Sequence, residues 1–385
     1  MQHINSQYNN IRIAIVTWTK WKNYGTFLQM YALQTLLKEY TSNVKILSDA
    51  NIHIKQLNEI KSKNKKSIKN KIIDFIYKYI LSNKKKLDSL YLKEKTNFDI
   101  SFQNFIDKYI DIDYDTENLN LVNNRYNIFV AGSDQIWSPL PSNFHPYYYL
   151  NFTDKTKVSY APSCGAVSFS DYYITQVEKL LKDFKQISVR EQITAVTLSN
   201  LFKRDFFAVL DPTLVLPLKK WESLLPLKKS DENYILCYFL SDNLWYRKAI
   251  LELNKNCKCK IINIATSRKQ LNYFKFNVFP DPIEFLSYIK NASYIITDSF
   301  HGTIFSLIFS KDFITLKRFD DLNGQNIRVE NILSISNIEK RFIGEKNISD
   351  IKKLTPIDYD NVYRLLDKER TKSIQFIKDF LATNG

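Results

Sequence analysis

The sequence predicts an α/β protein with two Rossmann-like domains facing a central cleft. Three observations carry this. The chain has 385 residues, more than twice a common domain size of ~150. Short apolar, β-branched runs alternate with segments of helical apolar spacing, and this grammar starts twice, at Ile11 and at Tyr234. There are only 7 glycines, well under the usual ~7%. Four of them (Gly25, Gly132, Gly165 and Gly302) follow apolar runs, and the loops after strands are where α/β proteins bind ligands.

The elements follow in order. Ile11–Thr17 reads as a buried strand, Thr26–Tyr40 as a helix with apolar residues at 28, 32, 33, 36 and 37, and Val44–Leu47 as the next strand. Asn127–Ala131, Lys157–Ala161 and Gln186–Val189 are strands that each end in a polar cluster. Phe207–Leu210 leads into Asp211-Pro-Thr, and Pro212 and Pro217 bracket a boundary near residue 214. The second half gives strands at Tyr234–Phe239, Lys260–Ala265, Tyr294–Thr297 and Phe313–Leu316. Its helices are Trp245–Asn254, Pro282–Lys290 with Asp281 as N-cap, and one running through Phe309. The expected division is 1–213, 214–350 and a C-terminal helix in 351–385 that packs back on the first domain.

Composition narrows the function classes. Apolar residues are 44% and aromatics 14%, enough for sizeable cores and against global disorder. No apolar stretch approaches the ~20 residues of a membrane span, and from the polar start, Met1–Asn10, no signal peptide is expected. Cytoplasmic residence with reduced thiols is expected, since the four Cys form no C-x-x-C pair. The four His show no metal-binding spacing, so no metal and no cofactor are expected. The net charge of +15 is uneven: residues 55–95 hold 13 Lys against 4 acidic residues. That concentration argues against a nucleic-acid groove, which spreads its basic residues over a face. It reads as a basic helical insertion at about 55–105. The plainer view is a solvated lysine face; the functional one is contact with anionic lipid headgroups at the inner face of a membrane, or with a lipid-linked pyrophosphate.

Four motifs carry chemistry. Ser299-Phe-His301-Gly302-Thr303 sits between a strand and a helix, whose N-terminus favours phosphate. There Ser299 and Thr303 offer hydroxyls, Gly302 a close backbone approach, and His301 a proton near neutral pH. Ser188-Val-Arg190-Glu191 places an Arg at a strand end, able to clamp a carboxylate or phosphate. Gly132-Ser133-Asp134-Gln-Ile-Trp137 joins a carboxylate to an aromatic, suited to a sugar and to base chemistry on its hydroxyl. Asn23-Tyr24-Gly25 is a further strand-end loop. Each also has a bland reading, as a capped turn, a buried His or Trp, or a surface ion pair. The D-x-D patterns at Asp111/Asp113/Asp115 and Asp358/Asp360 are read as structural.

Together these motifs, with Leu28-Gln29, Ala32-Leu33-Gln34, Ser159-Tyr-Ala-Pro-Ser and Asp211-Pro-Thr, resemble the polysaccharide pyruvyl transferase family in order and spacing, from about residue 11 to 335. The resemblance implies a GT-B-like fold. It also implies transfer of pyruvate from phosphoenolpyruvate to two hydroxyls of a capsule or exopolysaccharide glycan, or its lipid-linked precursor, as a cyclic ketal. Arg190 and His301 correspond to the family's donor-binding Arg and His. The chain departs from the family pattern at Ser138, where Asn is common, and in the lysine-rich insertion. The expected roles are therefore catalysis by His301 and Asp134, donor binding by Arg190, Ser299, His301, Gly302 and Thr303, and acceptor binding by Asn23, Tyr24, Gly25, Ser133, Asp134 and Trp137. Two alternatives stay open: a glycosyltransferase of the same fold, and a non-catalytic glycan-binding protein.

Overall fold

The computed structural model describes residues 8, 10–50, 52, 77–226, 232–318 and 324–383. Most of the lysine-rich segment, including Ile72, Phe75 and Ile76, lies outside the described residues.

The first half runs β1 (Arg12–Val16), α1 (Tyr24–Lys38), β2 (Asn43–Leu47), α2 (Tyr77–Tyr109), β3 (Ile112–Asp113), α3 (Leu119–Arg125) and β4 (Ile128–Gly132). It continues with β5 (Thr156–Tyr160), α4 (Asp171–Leu181), β6 (Phe184–Gln186), β7 (Ser188–Val189), α5 (Gln192–Phe202) and β8 (Phe207–Ala208). Two short helices, α6 (Pro212–Val215) and α7 (Leu218–Glu222), lead out of it. The second half has β9 (Tyr234–Tyr238), α8 (Tyr246–Cys257), β10 (Lys260–Ile264), β11 (Phe276–Val278), α9 (Pro282–Asn291) and β12 (Tyr294–Thr297). Then come α10 (Phe300–Ile308), β13 (Phe313–Leu316), α11 (Ile327–Ile335), β14 (Phe342–Ile343) and α12 (Tyr359–Ala382).

Two six-stranded sheets have the orders β3-β2-β1-β4-β5-β6 and β11-β10-β9-β12-β13-β14, and β7 pairs with β8 in a separate two-stranded sheet; every pairing is parallel. Counted within each half, both read 3-2-1-4-5-6, the doubly wound order whose reversal point is the usual ligand crevice. Parallel strands covered on both faces must be apolar throughout. Accordingly β4 and β9 are buried at every residue.

One apolar core runs through both halves. Tyr24 at the start of α1 stacks on Phe285 of α9 at 4.2 Å and meets Tyr238 of β9 at 5.8 Å. Its hydroxyl donates to the Pro280 carbonyl at 2.6 Å. Helix α2 lays Phe102, Phe105 and Ile106 on α1, while nearer its start Tyr91 donates to the Thr266 carbonyl and Asp88 pairs with Arg268 of the second half. Helix α12 touches both halves. Ser373 accepts from the Leu210 N–H and Arg370 donates to the Leu214 carbonyl, while Tyr363 donates to the Leu307 carbonyl. Four of the five D-x-D acids are held by neighbours: Asp111 by Lys38, Asp113 by Tyr126 and Arg125, Asp115 by Arg125, and Asp358 as the α12 N-cap.

Candidate active site

The ends of β4, β5 and β7 are stitched together by their loops. The Ser133 N–H donates to the Tyr160 carbonyl, the Ser163 N–H to the Asp134 carbonyl, and the Arg190 N–H to the Pro162 carbonyl. Ser133 and Asp134 have positive φ, 30° and 62°, backbone strain of the kind that gathers at functional sites. Asp134 sits at the reversal point, where the Thr17 hydroxyl of the β1 end donates to the Ser133 carbonyl. Its carboxylate accepts from the Thr26 hydroxyl at 2.6 Å and from the Gln135 N–H at 2.9 Å.

Arg190 and His301 come together on a third residue, Asp211. Asp211 caps α6, whose Pro212 supplies the fixed φ of a first helical residue. One carboxylate oxygen takes the Thr213 N–H and hydroxyl at 2.9 and 2.6 Å. The other faces Arg190 Nη2 at 2.9 Å and His301 Nε2 at 3.5 Å, close charge contacts that lack hydrogen-bond geometry. Burial alone would raise the Asp211 pKa, but the Arg190 guanidinium, the His301 ring and Thr213 outweigh it and hold the carboxyl well below its ordinary range. Arg190 Nη2 also donates to the Ser133 hydroxyl at 2.8 Å, while its Nε and Nη1 are buried without a partner. Glu191 accepts from the Ser163 hydroxyl at 2.6 Å; burial pushes its carboxyl up, against the pull of Arg190.

His301 is held from the other side by Gly25. A Cβ at Gly25 would lie 2.0 Å from His301 Nδ1, so the α1 backbone is the wall against which the imidazole rests. Two arginines, Arg190 and Arg328 of α11, lie over the Phe300 ring at 4.9 and 5.5 Å.

Several residues expected to meet ligand have other tasks. Trp137 is 1% exposed; it stacks on Tyr149 and donates to the Tyr148 carbonyl, so it is a core residue and not a sugar platform. Tyr24 is committed to the contact between the halves, as described above. Gly302 is needed for packing against β12, because a Cβ there would lie 2.4 Å from Thr297 Oγ1. The Thr303 hydroxyl is shared with Thr315 and the Ser299 carbonyl, fully buried. Ser299 caps α10 by accepting from the Gly302 N–H, and Asn23 caps α1 by accepting from the Gly25 N–H. Ser133 positions Arg190. Asp211 and Arg328 were missed as site residues. Asp-Pro-Thr after a strand was a readable capping signal for the first, whereas Arg328 had no local signal. Asp298 turns its carboxylate to the Leu240 and Ser241 N–H groups, fixing the reversal point of the second sheet.

The site is closed, with Arg190, Asp211 and His301 all under 7% exposed. Two open cavities of about 540 Å³ each lie elsewhere, where β11 meets α9. Among the described residues no group of three His, Cys, Asp or Glu is placed to hold a metal ion, and no helix is long and apolar enough to cross a membrane.

Two doubly wound parallel domains with polar strand ends converging on one buried Arg–Asp–His cluster define a GT-B-like architecture. A family model of polysaccharide pyruvyl transferase matches residues 23–320, and the chain belongs to that family. The solved structure of S. aureus MnaA with UDP is 10% identical, covers 97% of each chain and has a TM-score of 0.52; at that identity it speaks to fold alone. UDP-GlcNAc 2-epimerase of Neisseria meningitidis bound to UDP-GlcNAc is 10% identical over 97% of this chain and 100% of that one, with a TM-score of 0.47. The spinosyn rhamnosyltransferase SpnG is 8% identical over 97% and 100%, with a TM-score of 0.47. No curated protein matches the chain.

Proposed function

We propose that the protein transfers the pyruvyl group of phosphoenolpyruvate to two hydroxyls of a surface polysaccharide or its lipid-linked precursor, forming a ketal. The observation that carries this is the convergence of Arg190 and His301 on Asp211, with two Arg190 nitrogens left without a protein partner. A small dianion with a carboxylate and a phosphate suits such a group. His301 gives a proton to the methylene carbon of the donor, and Asp211 orients the ring and offsets the charge it carries. The adjacent carbon becomes electrophilic. A sugar hydroxyl attacks it, its proton passing to Asp134, and a C–O bond forms. The C–O bond to phosphate breaks and phosphate leaves with that electron pair. The second hydroxyl then attacks the same carbon and closes the ketal, its proton passing to His301, which gave up its own in the first step.

The second reading, glycosyl transfer from a nucleotide sugar, draws on the GT-B-like fold shared with the UDP-bound S. aureus structure. Incubation with phosphoenolpyruvate and, separately, with UDP-sugars separates the two. Phosphate release from the first supports pyruvyl transfer; UDP release with no phosphate release refutes it. We place the protein at the inner face of the membrane, where the lysine-rich segment around 55–95 meets anionic headgroups. Salt-sensitive binding to anionic vesicles is expected, and equal binding to neutral vesicles argues against this placement.

A further inference from the structure

We propose that Arg328 is a second donor-binding residue, taking the phosphate end of the donor while Arg190 takes the carboxylate. This rests on the donor reading above.

Arg328 lies on the first turn of α11 and is 8% exposed. Among the described residues it makes no ion pair. Its Nη2 donates to Gln325 Oε1 and its Nε is buried with no partner. Two acids, Asp134 and Glu191, favour its charge from nearby, but neither closes on it. The Asp134 oxygens are held by Thr26 and Gln135, and one Glu191 oxygen is held by Ser163. Burial, with Arg190 and Arg318 nearby, brings the Arg328 guanidinium down to about 10, still charged at neutral pH. The other two cations have acids: Arg190 has Asp211, and Arg318 has Asp298 at 3.5 Å.

A buried cation with no ion-pair partner among the described residues is costly for a fold to keep. Here it sits beside a second guanidinium over the same Phe300 ring, one residue from His301. An arriving anion completes it. The more highly charged end of the donor belongs with the arginine that has no ion-paired acid among the described residues, and the singly charged carboxylate with the one already offset by Asp211.

The test uses inorganic phosphate and pyruvate as separate probes, titrated calorimetrically into the full chain. Arg328→Met is expected to weaken phosphate binding by about 10-fold or more, as for a lost hydrogen bond to a charged group, with pyruvate binding unchanged. Its melting temperature without ligand should equal or exceed that of the wild type, because an uncompensated charge has gone. Arg328→Lys should weaken phosphate binding less and, if Arg328→Met does not fold, carries the test. Unchanged phosphate binding in the variant tested overturns the proposal, as does an equal loss for both probes. Normal phosphate release from phosphoenolpyruvate by the variant refutes the role of Arg328 and leaves the donor reading intact. Phosphate binding through Arg328, with no turnover of phosphoenolpyruvate by the wild type, does the reverse.

Discussion

Gly25→Ala is a sharp perturbation because it adds one methyl group and removes no functional atom. The new Cβ would lie 2.0 Å from His301 Nδ1, 2.5 Å from Cγ and 2.7 Å from Cε1. All three are well inside contact distance, so one partner must move. Gly25 is in the first turn of α1, tied down by the Asn23 cap and the Tyr24 stack on Phe285. The ring is the freer partner. Displacing it breaks the 3.5 Å approach of Nε2 to Asp211. For stability the terms partly offset: Ala in place of Gly in a helix gains about 0.5–1 kcal/mol, while overpacking costs about 1–3 kcal/mol. The expected result is a loss of at most about 2.5 kcal/mol by denaturant titration. Turnover should fall by ~10²-fold, the scale of a mispositioned acid–base group. Steady-state kinetics and unfolding on the same preparation check both. Turnover at the wild-type level would show that His301 placement does not matter and refute the reasoning.

His301→Ala should cut turnover by ~10²-fold or more with donor binding only partly weakened, whereas Arg190→Lys should mainly raise the donor Michaelis constant, because an ammonium cannot reproduce a two-pronged contact. Asp211→Asn leaves Arg190 buried without its counter-charge and should cost about 3–5 kcal/mol. The folded pKa of Asp211 is depressed, so its contribution is fully present above the unfolded value of about 3.9 and is lost as pH falls through the folded value; the variant's acid unfolding curve should flatten there. Glu191 has the opposite sign. Its raised folded pKa gives stability at low pH that is lost as pH rises through that value, so Glu191→Gln should be neutral or stabilising at pH 7 by calorimetry. Trp137→Phe should lower stability by about 1–3 kcal/mol, from a lost hydrogen bond and lost volume, and leave both Michaelis constants unchanged; a raised acceptor constant would return Trp137 to the site.

The long buried strands were legible because parallel strands covered on both faces are continuous apolar runs: β1, β4, β9 and β12 were each found within a residue or two. The edge strands β3, β11 and β14, of two or three residues, were not read, since pairing rather than pattern defines them. Helices α4 and α5 were also passed over. Arg190 and His301 were legible as polar residues at strand ends. Their partners were not, because tertiary approach creates each role. Gly25 faces His301 across the two halves, and Arg328 reaches Phe300 from a helix with no motif. Trp137 misled for a related reason. An Asp and a Trp in a glycine loop look like a sugar site, but positive φ at Ser133 and Asp134 turns the chain so that Trp137 enters the core.

The central claim is that the Arg190–Asp211–His301 cluster moves a pyruvyl group. Its most direct test is phosphoenolpyruvate carbon-labelled in the pyruvyl unit, incubated with the wild-type protein and a surface-polysaccharide acceptor, with label and phosphate both followed. The account predicts label in the glycan, phosphate released in equal amount, and both abolished in His301→Ala. Phosphate released with no label in the glycan, or label transferred equally well by His301→Ala, would contradict it.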